Sequence, residues 1–240
     1  MNHRSLVLNE DSEFKFHCHD GLDCFKECCR DINIFLTPYD VLRMKNSLGI
    51  SSGEFLERYT LKVRVPNTGF SIVQIKMSEE NDRKCPFITP KGCQVYSERP
   101  WSCRLAPVDM LGEGKYSFIF ESSRCHGLME TKAQTVKEWV RDQGLIIYED
   151  MEQGFSEIPS NLKLTGNVVT DEMLINLFFM ACYDLDKFRD FLMSNLYLFK
   201  EMDLDEEIVD KIKYDDVQLM KFGFNLLSLG TDSLKDLVNS

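Results

Sequence analysis

Eight of the nine cysteines in this 240-residue chain lie between Cys18 and Cys125, and Cys182 alone lies beyond them. Thiolates bind soft and borderline metals: zinc, Cu(I) and the irons of iron–sulfur clusters. The first group is Cys18, Cys24, Cys28 and Cys29, four thiols within twelve residues. Cys85-Pro86-Phe87, Gly92-Cys93 and Cys103-Arg104 follow, and Cys125-His126 ends the series. Cys24 and Cys28, with three residues between them, have a chelate spacing found in zinc sites. The adjacent pair Cys28-Cys29 is more telling. In extended backbone, neighbouring side chains point to opposite sides. The two thiols therefore serve different irons, serve two different sites, or need a sharp turn to share one ion. Eight thiols fill two four-cysteine sites, or one cluster with a remainder left over. Nine is an odd number, and in a reducing compartment dense cysteine means metal or redox chemistry rather than disulfides.

Charged neighbours fit an anionic cofactor. Arg30, Lys84, Arg104 and Arg124 each adjoin a cysteine, and Arg99 lies between Cys93 and Cys103. Four thiolates on one zinc sum to about −2, and nearby guanidinium groups would offset that charge and favour the thiolate. His17, His19 and His126 also adjoin cysteines. In an extended segment His17 and His19 share a face opposite Cys18, which suits a supporting place around the site better than ligation beside it. The chain has no Gly-rich phosphate loop, nucleophile elbow or HExxH pattern.

The elements that must position these thiols divide into two regions. Residues 1–130 hold six of the seven prolines and a near balance of 17 basic and 18 acidic side chains. Residues 131–240 hold 11 and 21. Thr37-Pro38-Tyr39-Asp40 predicts a capped helix running to Leu48, with Gly49 as its left-handed terminator. Ser51-Ser52-Gly53-Glu54 reads as a capping box opening a second helix to Tyr59. Strands are expected over 61–65 and 70–77, and a hairpin over 105–111 and 115–120, with the cysteines in the loops. Beyond Glu130 the pattern predicts helices over 131–143, 171–185 with a Thr170 cap, 186–199, 206–212 and 215–229. Met173, Leu177, Phe178 and Met180 read as core, and Cys182 as a buried apolar residue. The expected class is α+β: a cysteine-cluster metal-binding domain over 1–130 and an acidic helical region over 131–240.

The motif run Cys85-Pro86-Phe87, then Gly92-Cys93-Gln94-Val95-Tyr96-Ser97-Glu98-Arg99-Pro100-Trp101-Ser102-Cys103-Arg104-Leu105-Ala106-Pro107, then Cys125, resembles the YkgJ-like cysteine-cluster family. Its hallmarks are a CxxCxxCC run, C-P-F and G-x-C-x-x-Y-x-x-R-P-x-x-C-R-x-x-P. The resemblance covers residues 14–126 and includes residues 36–41 and 55–59, which look like the family's helical insert. One part departs: the first cluster is C-x5-C-x3-C-C rather than C-x2-C-x2-C-C, and the extra residues include Asp20-Gly21. The resemblance implies a zinc- or iron-chelating or iron–sulfur protein. The family includes flagellin lysine N-methylase, which implies that methyl transfer from S-adenosylmethionine can accompany the scaffold.

Composition excludes several functions. The charge sum of −11 argues against a phosphate-backbone binder, so no nucleic acid is expected. The apolar run 177–183 is too short to span a bilayer, and residues 1–11 read as no secretory signal, so a cytoplasmic protein is expected. The metal candidates are Cys18, Cys24, Cys28, Cys29, Cys85, Cys93, Cys103 and Cys125. An iron–sulfur cluster for redox or cluster-assisted chemistry leads. A structural zinc module for protein interaction is the alternative, and an S-adenosylmethionine-dependent protein lysine methylase-like enzyme is the third reading. The acidic helices would suit a basic protein partner or substrate.

Overall fold

The computed structural model describes residues 6–239. The protein is α+β, with small antiparallel sheets towards the N-terminus and helices towards the C-terminus. It divides into two compact units. The first comprises Met1–Phe35 and Ile75–Tyr148, and the second Leu36–Gln74 and Glu149–Ser240. The helical insert therefore groups with the C-terminal helices, where the sequence reading drew one cut near residue 130.

In the first unit, strands Val7–Leu8, Lys115–Phe118 and Val108–Gly112 form a three-stranded antiparallel sheet with Lys115–Phe118 in the centre. The hairpin forms as expected, but it starts later. Residues Trp101–Leu105 are helical, so the strand opens at Val108. Strands Glu13–Lys15 and Ala133–Thr135 pair antiparallel, with Phe14 opposite Gln134. That pairing corrects the helix read over 131–143. Backbone pairing claims residues 133–135, and Thr135 then caps a helix over Val136–Asp142 in a capping box with Glu138. Phe14, Phe16, Leu105, Val108, Phe118 and Leu128 build the core. Phe16 meets Trp139 edge to face at 5.2 Å, and the indole N–H of Trp139 donates to Leu105 O at 2.9 Å.

The second unit bears out the insert helices closely. Pro38–Leu48 is capped by Thr37, whose side chain accepts from Asp40 N–H while the Asp40 carboxylate accepts from Thr37 N–H. The helix ends at Gly49 with φ 66°, the left-handed cap. Ser51 caps Ser52–Tyr59 by accepting from Glu54 N–H, but the Glu54 carboxylate bonds Arg58 at 2.6 Å. Strands Thr60–Arg64 and Ser71–Ile75 follow.

The C-terminal helices are Glu149–Asn161, Val168–Cys182, Leu185–Ser194, Tyr197–Glu201, Glu206–Tyr214, Asp216–Ser228 and Thr231–Asn239. The first and last carried no signal strong enough to read from sequence. Asn167, not Thr170, caps Val168–Cys182: its side-chain Oδ1 accepts from Thr170 N–H. Leu177 and Phe178 are buried, and Cys182 is fully buried. Lys45 is 5% exposed and pairs with Asp216 at 2.8 Å, and Arg189 also pairs with Asp216. Among the described residues no helix is long and apolar enough to cross a membrane.

Candidate metal centre

The path to the thiols begins at the strand Glu13–Lys15. Its pairing continues one step further through Phe16 N–H to Lys132 O and His17 N–H to Gly127 O, both at 3.0 Å. Cys18 is thereby held against the short helical turn His126–Met129 that follows Cys125. Gly127 is needed here. A Cβ on it would lie 2.9 Å from the Phe16 ring and 3.1 Å from His17 O. Residues 19–26 then turn back, and Lys26 takes a left-handed conformation with φ 74°. The 3-10 turn Glu27–Cys29 follows.

Cys18, Cys24, Cys28 and Cys125 line one cavity of about 50 Å³, walled by apolar groups including Phe16 and Phe120. Burial pushes the Cys18 thiol up to about 11, and the nearby Cys28, Cys125 and Cys24 add to the rise. Cys125 is raised by burial and by Cys24. Cys28 is pushed far up, first by its hydrogen bond with Cys29 and then by burial, and the Arg124 charge opposes the rise. Arg124 lines the same cavity. Cys24 and Arg124 also open onto an outer cleft of mixed charge, where Asp23, Glu27 and Asp31 stand with Arg30 and His126.

Of the remaining thiols, Cys85 and Cys93 stand near each other, and Arg99 stands near both Cys93 and Cys103. The strands Ile88–Thr89 and Gly92–Cys93 form a hairpin with Ile88 opposite Cys93. The N–H of Cys85 donates to Cys29 O at 2.9 Å, which ties the hairpin to the first cysteine run. Cys85 is buried, and burial lifts its thiol to about 11, with Cys93 adding to the rise. Burial also raises Cys93, and the Arg99 charge opposes it. Arg99 feels both Cys93 and Cys103. The sulfurs of Cys28 and Cys29 lie 3.9 Å apart.

Backbone N–H groups point at these sulfurs. Phe87 donates to Cys85 and Val95 to Cys93, each two residues on, and Gly127 and Leu128 donate to Cys125. His126 N–H lies 3.3 Å from Cys24 Sγ. Such bonds favour the thiolate. The donor set therefore fits a thiolate-held metal: clustered sulfurs, N–H donors aimed at them and cationic side chains nearby. The sulfurs stand wider than a single-ion cage. Four Zn–S bonds of about 2.3 Å set sulfurs about 3.8 Å apart, and Cys28–Cys29 meets that spacing. Among the described residues, however, no three thiols lie within 4.8 Å of one another.

Several sequence expectations are refined by this geometry. Cys28 and Cys29 lie on a 3-10 turn, Cys93 on a strand and Cys103 on a helix, so the cysteines do not all sit in loops. Arg99 and Arg124 place charge near thiols. Arg104 instead donates to the carbonyls of Ser97, Arg99 and Gln143, and Arg30 and Lys84 pair with Asp82. Sequence reasoning missed Glu130, Gly127 and the N–H donors, because none carries a signal until the turn geometry is known. His17 and His19 face Glu130 rather than the thiols.

No curated protein and no solved structure matches the chain. Residues 17–134 match the model of the CxxCxxCC family, described as "Putative zinc- or iron-chelating domain". The match spans every clustered cysteine from Cys18 to Cys125. Over that stretch the chain belongs to the CxxCxxCC family of metal-chelating domains.

Proposed function

We propose that the eight thiols hold an iron–sulfur cofactor that serves redox or cluster-assisted chemistry. The observation that carries this reading is the quartet Cys18, Cys24, Cys28 and Cys125 around one apolar-walled cavity, spaced wider than a single ion would draw them. In a cluster each thiolate takes its own iron, so the sulfurs need not meet at one point. Cys29, Cys85, Cys93 and Cys103 would make the second group. A bound cluster supplies one-electron transfer. The chain's own residues do the rest. The N–H groups of Phe87, Val95, Gly127 and Leu128 stabilise negative sulfur, Arg99 and Arg124 offset its charge, and Phe16 and Phe120 restrict water. The acidic helices, with exposed Glu206, Glu207 and Asp210, would suit a basic protein partner.

Zinc is the second reading, favoured by one observation: the 3.9 Å separation of Cys28 and Cys29 matches the edge of a zinc–thiolate tetrahedron. A methyl-transfer role has no support from the fold or from the family match. Purification without oxygen, followed by metal and acid-labile sulfide analysis, tests the proposal. Iron with a comparable amount of sulfide is expected. Stoichiometric zinc with neither iron nor sulfide would overturn it.

A further inference from the structure

His17, His19 and Glu130 are the one set of three or more such side chains among the described residues whose ligand atoms all lie within 4.8 Å. We propose that they form a separate site for a borderline divalent cation such as zinc, cobalt or nickel. The site stands beside the thiolate centre and is independent of it.

The positions follow from the backbone. Phe16 is buried, and its N–H and that of His17 are bonded to Lys132 and Gly127. His17 and His19 therefore project from one side of the segment, opposite Cys18, over the chain that runs from Gly127 to Glu130. Glu130 closes the turn His126–Met129 and donates its N–H to Gly127 O at 3.4 Å. The two imidazole centroids are 5.1 Å apart, and His19 Nε2 is 3.9 Å from Glu130 Oε1.

Two imidazoles and one carboxylate are a ligand set for zinc-like ions, and three protein ligands leave a position open for water. With bonds of about 2.0–2.1 Å, the ligand atoms of a tetrahedral site stand about 3.4 Å apart. For the His19–Glu130 pair a closure of about half an ångström from 3.9 Å reaches that spacing; the pairs with His17, within 4.8 Å, close by up to about 1.4 Å, and the side chains are exposed enough to make these shifts. His19 Nδ1 accepts from Gly21 N–H at 3.2 Å, so in the neutral ring the hydrogen sits on Nε2. Ligation through Nε2 moves that hydrogen to Nδ1 and gives up the Gly21 bond, which lies in an exposed turn. The nitrogen and oxygen donors separate this site from the thiolates, which prefer softer ions.

The experiment is a calorimetric titration of the full-length protein, with its thiolate-held metal in place, using nickel chloride. Iron and zinc released into solution are measured in parallel. The wild type is expected to take up one equivalent of nickel without releasing other metal. His17→Ala and Glu130→Gln are expected to bind about tenfold more weakly or worse, with thiolate-held metal content unchanged. No nickel uptake by the wild type, equal uptake by the variants, or uptake matched by released iron or zinc would overturn the proposal. The iron and sulfide content reads the thiolate centre separately, so failure here is distinct from failure there.

Discussion

Replacing Glu152 by Gln should abolish a pH dependence that the wild-type fold carries. Glu152 lies on the helix Glu149–Asn161, and its Oε1 is buried with no hydrogen-bond partner. Burial lifts its carboxyl from 4.5 to about 7, Asp40 adds to the rise, and a Thr37 hydrogen bond opposes it. A carboxyl raised in the fold favours folding in its neutral form. That contribution is complete below pH 4.5 and is lost as the pH climbs through 7. The interval corresponds to about 3 kcal/mol at 1.36 kcal/mol per pH unit. Glu152 is only partly buried, so solvent screening reduces this to about 2 kcal/mol. Asp186 and Asp216 are held below their ordinary value, so their titration falls at lower pH and does not mask the effect. Urea unfolding at pH 5 and pH 8 measures it directly. The wild type should lose about 2 kcal/mol more than Glu152→Gln between the two conditions. Parallel losses in the two proteins would refute the reasoning.

Gly127→Ala should destabilise the first unit by about 1–3 kcal/mol, read as a lower Tm, because the new methyl meets the Phe16 ring at 2.9 Å and the fixed His17 carbonyl at 3.1 Å. Cys182→Ala should leave metal content unchanged while lowering stability by about 1 kcal/mol, since Cys182 is fully buried in the second unit. Cys125→Ser should lower metal content by elemental analysis. Lys45→Met should cost about 2 kcal/mol in urea unfolding, because Asp216 loses one buried partner but keeps Arg189.

What the sequence disclosed depended on how local the physics was. The helix Pro38–Leu48 is legible because Thr37, Pro38, Asp40 and Gly49 each carry a local signal, and all four are used. The strand Ala133–Thr135 was hidden, because only its pairing with Glu13–Lys15 distinguishes it from helix. Thr170 and Asn167 are both good capping residues, and three positions separate them, so pattern alone misplaced the helix start. The thiols were visible as residue types, but their grouping was not. That Cys125 returns to Cys18, Cys24 and Cys28 follows from the Phe16–Lys132 and His17–Gly127 bonds, which join segments more than a hundred positions apart. The partners that Arg30 and Arg104 bond were hidden for a related reason. Asp82 and three backbone carbonyls lie nearer in space than sequence proximity suggests.

X-ray absorption at the edge of the metal the protein carries tests the thiolate assignment most directly. The full-length protein would carry His17→Ala so that the imidazole–carboxylate set contributes nothing. A first shell of sulfur alone is expected, with iron neighbours beyond it if the cofactor is a cluster. A first shell dominated by nitrogen or oxygen would contradict the account.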